Sequence, residues 1–93
     1  NHIGNDGPID PFVTPEPLSE KWAAFGFKTV HIDGNDRSAV TAALRRFRQE
    51  ADGPYAIVAE TIKGKGLVDG IAGTGAAHYL KGTADEIAAK FAL

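Results

Sequence analysis

The sequence predicts an α/β domain in which a parallel sheet carries flanking helices. Two runs enriched in β-branched residues, FKTVHID (27–33) and YAIVAETI (55–62), enclose a stretch of helical periodicity. A strand, a crossover helix and a second strand form a right-handed unit with parallel strands. The second run is apolar almost throughout, as expected of a strand covered on both faces. Two strands do not make a doubly wound sheet, so further strands are expected from outside these residues.

Composition narrows the class. Ninety-three residues make one small domain with a modest core. With 43% hydrophobic and 24% charged residues and a net charge of −2, the chain reads as a soluble globular one. No apolar run approaches the length that spans a bilayer, so no membrane partner is expected. Balanced Lys/Arg and Asp/Glu argue against a nucleic-acid footprint. Cysteine is absent, which removes disulfides and thiolate metal sites and fits a cytoplasmic protein. Eleven glycines stand out, most of them gathered into the opening loop and the segment from Gly64 to Gly82.

Each element follows in order. Residues 8–17 (PIDPFVTPEP) hold four prolines and read as an extended arm. LSEKWAAFG sets Leu18, Trp22 and Phe25 on one face of a short helix, with Gly26 as its left-handed cap. The strand 27–33 ends at the Asp33-Gly34 turn. Asp36 is placed to cap a helix over 37–51, in which Val40, Leu44, Phe47 and Ala51 recur at helical spacing. Asp52-Gly53-Pro54 ends that helix before the strand 55–62. After the Gly-rich segment 63–82, Thr83-Ala84-Asp85-Glu86 reads as a capping box, with Ile87 and Phe91 as the apolar stripe of a last helix.

Ligands of open α/β sheets bind beyond the carboxyl ends of the strands. Thr61-Ile62-Lys63-Gly64-Lys65-Gly66 occupies that place, with two glycines to turn amides toward an anion and two lysines to raise the potential. A solvated turn accounts for it equally well, and the spacing is not that of a P-loop. His78, in AGTGAAHYLKG, ends the Gly-rich loop and is suited to proton transfer near neutral pH. His31 lies within a strand and reads as structural, and nothing decides the role of His2. Asn1 and the Ile3 carbonyl could both face a hard cation, although spacing alone leaves Asn1 a ragged end.

Taken together, NHIGNDG (1–7), PLSEKWAAFGF (17–27), VHIDGND (30–36), ETIKGKG (60–66) and His78 resemble the diphosphate-binding domain of the transketolase family of thiamine diphosphate (ThDP) enzymes. The family's thiamine motif is Gly-Asp-Gly, a spacer, then an Asn followed by a pattern that NHIGNDG matches. The wording is closest to the N-terminal subunit of transketolases split over two chains, which ends shortly after this domain, as this sequence does at Leu93. The resemblance implies that residues 1–93 are the C-terminal portion of such a domain, with the Gly-Asp-Gly half upstream and Asn1 not the protein's first residue.

The same resemblance implies that the Asn1 side chain and the Ile3 carbonyl bind Mg²⁺ or Ca²⁺, which bridges to the ThDP diphosphate. Gly64 and Gly66 border the diphosphate and the substrate entrance. His78 lies near the diphosphate and a substrate oxygen and assists proton transfer there. The implied activity is transfer of a two-carbon ketol or acyl unit from a ketone donor to an aldehyde acceptor. The implied partners are the upstream segment, a pyrimidine-binding-domain subunit carrying the activating Glu, and a small ketose or 2-oxo acid, in a heterotetramer or larger. On this reading the isolated piece neither folds well nor catalyses. Where the family often has His-Gly, this sequence has His78-Tyr79, a bulkier and less polar rim. Competing readings are a ThDP-dependent 2-oxo-acid decarboxylating or acyloin-forming enzyme, a non-catalytic phosphate-binding module built on the KGKG turn, and a degenerate assembly subunit.

Overall fold

The structure, a computed structural model, describes residues 1–50 and 52–91. Ala51, where the sequence extends the second helix, and Ala92 and Leu93 at the chain end lie outside the described residues. The order of elements is α1 (Leu18–Ala24), β1 (Lys28–Asp33), α2 (Arg37–Glu50), β2 (Tyr55–Glu60), a single 3-10 turn (Gly75–Ala77) and α3 (Ala84–Ala88). The expected α/β class holds: β1 and β2 form a two-stranded parallel sheet with helices beside it. The chain divides into two compact units, Pro15–Thr61 and Asn1–Thr14 with Ile62–Leu93. No helix among the described residues is long and apolar enough to cross a membrane.

In the unit Pro15–Thr61, the helix caps set where the strands begin. The Gly26 N–H donates to the Ala23 carbonyl at 2.9 Å and the Phe27 N–H to that of Trp22 at 3.1 Å, with Gly26 at φ +88°. This is a Schellman ending, and its customary apolar contact is the edge-on packing of Trp22 against Phe27 at 4.6 Å. Phe27, expected in the strand, is consumed by that cap, so β1 starts at Lys28. Asp36 caps α2 as expected, its Oδ1 accepting from the Ser38 N–H at 2.7 Å.

The sheet runs in register from Lys28 opposite Tyr55 to Asp33 opposite Glu60. There the Gly34 N–H closes onto the Glu60 carbonyl at 2.6 Å as the chain turns away. Thr61 and Ile62, expected in the strand, therefore have no backbone to pair with, and β2 stops at Glu60. A side chain at Gly34 would stand 2.6 Å from Thr61 Cγ2 and 2.9 Å from Ala59 Cβ. His31 is a strand residue on the surface, its Nε2 3.5 Å from Glu60 Oε2, in keeping with a structural role.

Burial is shallow. Among the described residues only Ala43, on α2, is fully enclosed, at 5% exposed. Leu44 and Phe47, which recur at helical spacing on α2, remain 51% and 39% exposed, although Phe47 leans on Tyr55 at 5.5 Å. Pro15, Leu18, Trp22 and Phe25 line an open apolar hollow of about 250 Å³. The end of α2 is held from the strand side, where Glu50 pairs with Lys28 at 3.1 Å and with Arg46 at 3.0 Å. Lys28 first, and then Arg46, hold the Glu50 carboxyl below its ordinary range.

In the other unit, α3 has the expected capping box: the Thr83 N–H donates to Glu86 Oε2 at 2.7 Å and the Glu86 N–H to Thr83 Oγ1 at 3.4 Å. Phe91, expected on the stripe of this helix, lies beyond its end and forms a β-bridge with Leu67 instead. The Val68 N–H, bonded to the Lys90 carbonyl at 2.8 Å, draws the chain out of helical geometry there.

Two outcomes follow. Gly34→Ala, which overpacks the β1–α2 corner, lowers stability by about 1–3 kcal/mol, read as a lower denaturation midpoint; an unchanged midpoint contradicts the close approach. The Thr83 backbone N–H, and secondarily its hydroxyl, hold the Glu86 carboxyl below its ordinary value. The capping contribution is therefore complete above the pH at which an unfolded glutamate titrates, and is lost as pH falls through the lower folded value. A carboxyl-carbon NMR titration of Glu86 shows a midpoint below that of an ordinary glutamate, and amides 84–88 lose protection only as that midpoint is crossed.

Candidate functional site

Residues 1–9 form a small hairpin whose pairing is dictated by a proline. Pro8 has no N–H to give, so Ile3 and Pro8 face each other as a bridge whose hydrogen bonds come from their neighbours. The Gly4 N–H donates to the Gly7 carbonyl at 2.7 Å and the Ile9 N–H to the His2 carbonyl at 3.0 Å. In such a pair the N–H and C=O of Ile3 point together to the outer edge. The N–H is taken by Asn1 Oδ1 at 3.0 Å. The Asn1 amide oxygen and the Ile3 carbonyl are thus presented on one edge, two hard oxygen donors of the kind a divalent cation takes. His2 is exposed, with φ +54°.

The KGKG segment is a pair of consecutive turns, with the Lys65 N–H on the Ile62 carbonyl and the Leu67 N–H on that of Gly64, both at 3.0 Å. Gly64 and Gly66 adopt φ +69° and +99°, which only glycine takes without strain. The Lys63 ammonium reaches back to the hairpin and donates to the Gly4 carbonyl and, at 3.3 Å, to that of Asn5. The Gly73 N–H returns to the Lys63 carbonyl at 2.8 Å.

A third loop completes the arrangement. Thr74 caps the 3-10 turn through its hydroxyl, which accepts from the Ala76 N–H at 3.2 Å and donates to the Ile71 carbonyl at 2.8 Å. The turn presses on both other loops. A Cβ on Gly64 would stand 2.6 Å from Ala77 Cβ, and one on Gly75 would overlap the Asp6 carbonyl. His78 follows the turn, its N–H on the Gly75 carbonyl at 3.0 Å. Its ring is exposed, edge-on to Tyr79 at 4.5 Å, and forms no hydrogen bond to another described residue.

The structure therefore sets Asn1 and Ile3 on one edge, packs Gly64 against the turn that leads to His78, and leaves Gly66 open to solvent. Among the described residues no group of three or more His, Cys, Asp or Glu is arranged to hold a metal. A cation at these two oxygens would need its other ligands from elsewhere. Two participants escaped the sequence: Lys63, legible only as one of two charges raising a local potential, and Gly75, legible only as a small residue. Their partners lie 58 positions and more away, beyond the reach of any local pattern.

No protein-family model matches the chain. Curated relatives do. The chain is 35% identical over 66 residues to the 6-deoxy-6-sulfo-D-fructose transketolase subunit SqwG of Clostridium sp. (strain MSTE9), a match covering 71% of this chain and 24% of that protein. It is 34% identical over 67 residues to transketolase-like protein 2 of Homo sapiens, covering 72% and 11%. It is 35% identical over 52 residues to a subunit of the apulose-4-phosphate transketolase of Actinobacillus succinogenes, covering 56% and 18%. The chain thus spans about a quarter of the first of these relatives and less of the other two. By these matches the chain is a relative of the transketolase family, as the NHIGNDG and ETIKGKG segments imply.

Proposed function

We propose that this chain is the C-terminal portion of a ThDP diphosphate-binding domain, within an enzyme that transfers a two-carbon ketol unit from a ketone donor to an aldehyde acceptor. The observation that carries the reading is the outer edge of the hairpin, to which the Asn1 amide oxygen and the Ile3 carbonyl are both presented. Both are neutral oxygen donors, and they fit Mg²⁺ or Ca²⁺ held by a cofactor's diphosphate and an upstream carboxylate. The similarity to transketolase subunits supports the same reading and a partner subunit; in this proposal that partner bears the pyrimidine-binding domain.

In this reading each residue has a defined task. Asn1 and Ile3 hold the cation. The turn at Gly64 and Gly66 brings backbone close to the diphosphate, where no side chain intervenes. ThDP, when bound, supplies the carbanion chemistry. His78, exposed and with its ring nitrogens uncommitted, holds or moves a proton at the substrate oxygen and hydrogen-bonds near the diphosphate. Tyr79, set edge-on to it, makes the rim bulkier and less polar.

Titrating ThDP into the complete enzyme with Mg²⁺ in a calorimeter tests the cofactor assignment. Saturable, metal-dependent binding is expected, weakened on the order of 10-fold or more in Asn1→Ala; a wild-type enzyme that gives no binding heat overturns it. The role of His78 is read from turnover of a ketose phosphate with an aldehyde acceptor. His78→Gln is expected to lower kcat by roughly 10²- to 10⁴-fold at saturating ThDP, and wild-type turnover in that variant removes His78 from the chemistry.

A further inference from the structure

Lys63 belongs to the KGKG turn, yet its side chain does not turn toward solvent. It is half-buried, and its ammonium donates to the carbonyls of Gly4 and Asn5. No carboxylate of the described residues pairs with it. A half-buried ammonium held only by neutral carbonyls commits its donors to fixing backbone. The backbone it fixes is the tip of the hairpin. Gly4 directly follows Ile3, and its N–H forms one of the two bonds that define the Ile3–Pro8 pair. The opposite flank of that tip is fixed where the Asp6 backbone lies against Gly75. The tip is thus gripped from two sides, by a cation and by a bare backbone.

We infer that Lys63 is a positioning residue, which holds the hairpin tip so that the Asn1 oxygen and the Ile3 carbonyl are presented on one edge before a metal arrives. The inference rests on the proposed function, because the edge it positions is the proposed metal edge. Pre-setting two ligands lowers the ordering cost of binding, so loss of Lys63 weakens affinity rather than chemistry.

The test compares wild type, Lys63→Met and Lys63→Arg in the complete enzyme. Met keeps most of the apolar stem without a donor, while Arg can still donate to two carbonyls. In Lys63→Met the amides of residues 4–7 and 9 are expected to exchange hydrogen at least several-fold faster in the apo protein. The Kd for ThDP with Mg²⁺ is expected to rise on the order of 10-fold, with kcat at saturating cofactor within about twofold of wild type. Lys63→Arg is expected to recover most of both losses. Unchanged exchange at those amides, or an unchanged Kd in Lys63→Met, overturns the positioning role while wild-type binding still upholds the cofactor assignment. A wild-type enzyme that binds no ThDP refutes that assignment instead, and with it the purpose of the Lys63 grip.

Discussion

The grip of the Lys63 ammonium on the Gly4 and Asn5 carbonyls is the contact on which the candidate site depends. The hairpin it holds is short and closed by two backbone bonds, with Ile3 and Ile9 only half-buried. Hairpins of that size are marginal alone in water. A charge-assisted donor shared between two carbonyls is among the stronger neutral–ionic contacts available to a loop. It ties residues 4 and 5 to residue 63, and the return of Gly73 to the Lys63 carbonyl carries the tie on toward His78. One lysine thus joins segments that the sequence keeps far apart.

The rest of the chain is organised by local devices more than by a core. With only Ala43 enclosed among the described residues, hydrophobic burial contributes little per residue, and helix ends and turns carry much of the definition. The Schellman ending of α1, the Asp36 cap of α2 and the capping box of α3 each satisfy backbone groups that a helix end would otherwise leave open. Phe12 and Phe25 remain 96% and 80% exposed.

Those local devices are also what could be read in advance. Gly26 after an apolar helix face, Asp36 before one, and Thr-x-x-Glu at 83–86 are signals in which the two interacting groups lie within a few residues. Parallel pairing was legible because a crossover helix permits little else. The failures share the opposite property. The strand 55–62 loses its last two residues because β1 turns at Gly34, and Phe91 leaves α3 for Leu67, both decided by distant backbone. The candidate site divides the same way. Asn1, Ile3, Gly64, Gly66 and His78 could be picked out by residue type and resemblance, whereas the Lys63 tie and the Asp6–Gly75 approach exist only in three dimensions.

The Asp6–Gly75 approach is unequal at its two ends. Asp6 contributes only backbone to it, and its side chain is exposed, so the residue at position 6 can change without disturbing the junction. Position 75 contributes the lack of a side chain, which no other amino acid reproduces. One end of the contact therefore has wide mutational latitude and the other almost none. A chain drifting in sequence could alter the rim chemistry at Tyr79 and the charge at Asp6 freely, while the seam between the two loops stayed fixed by a single missing carbon.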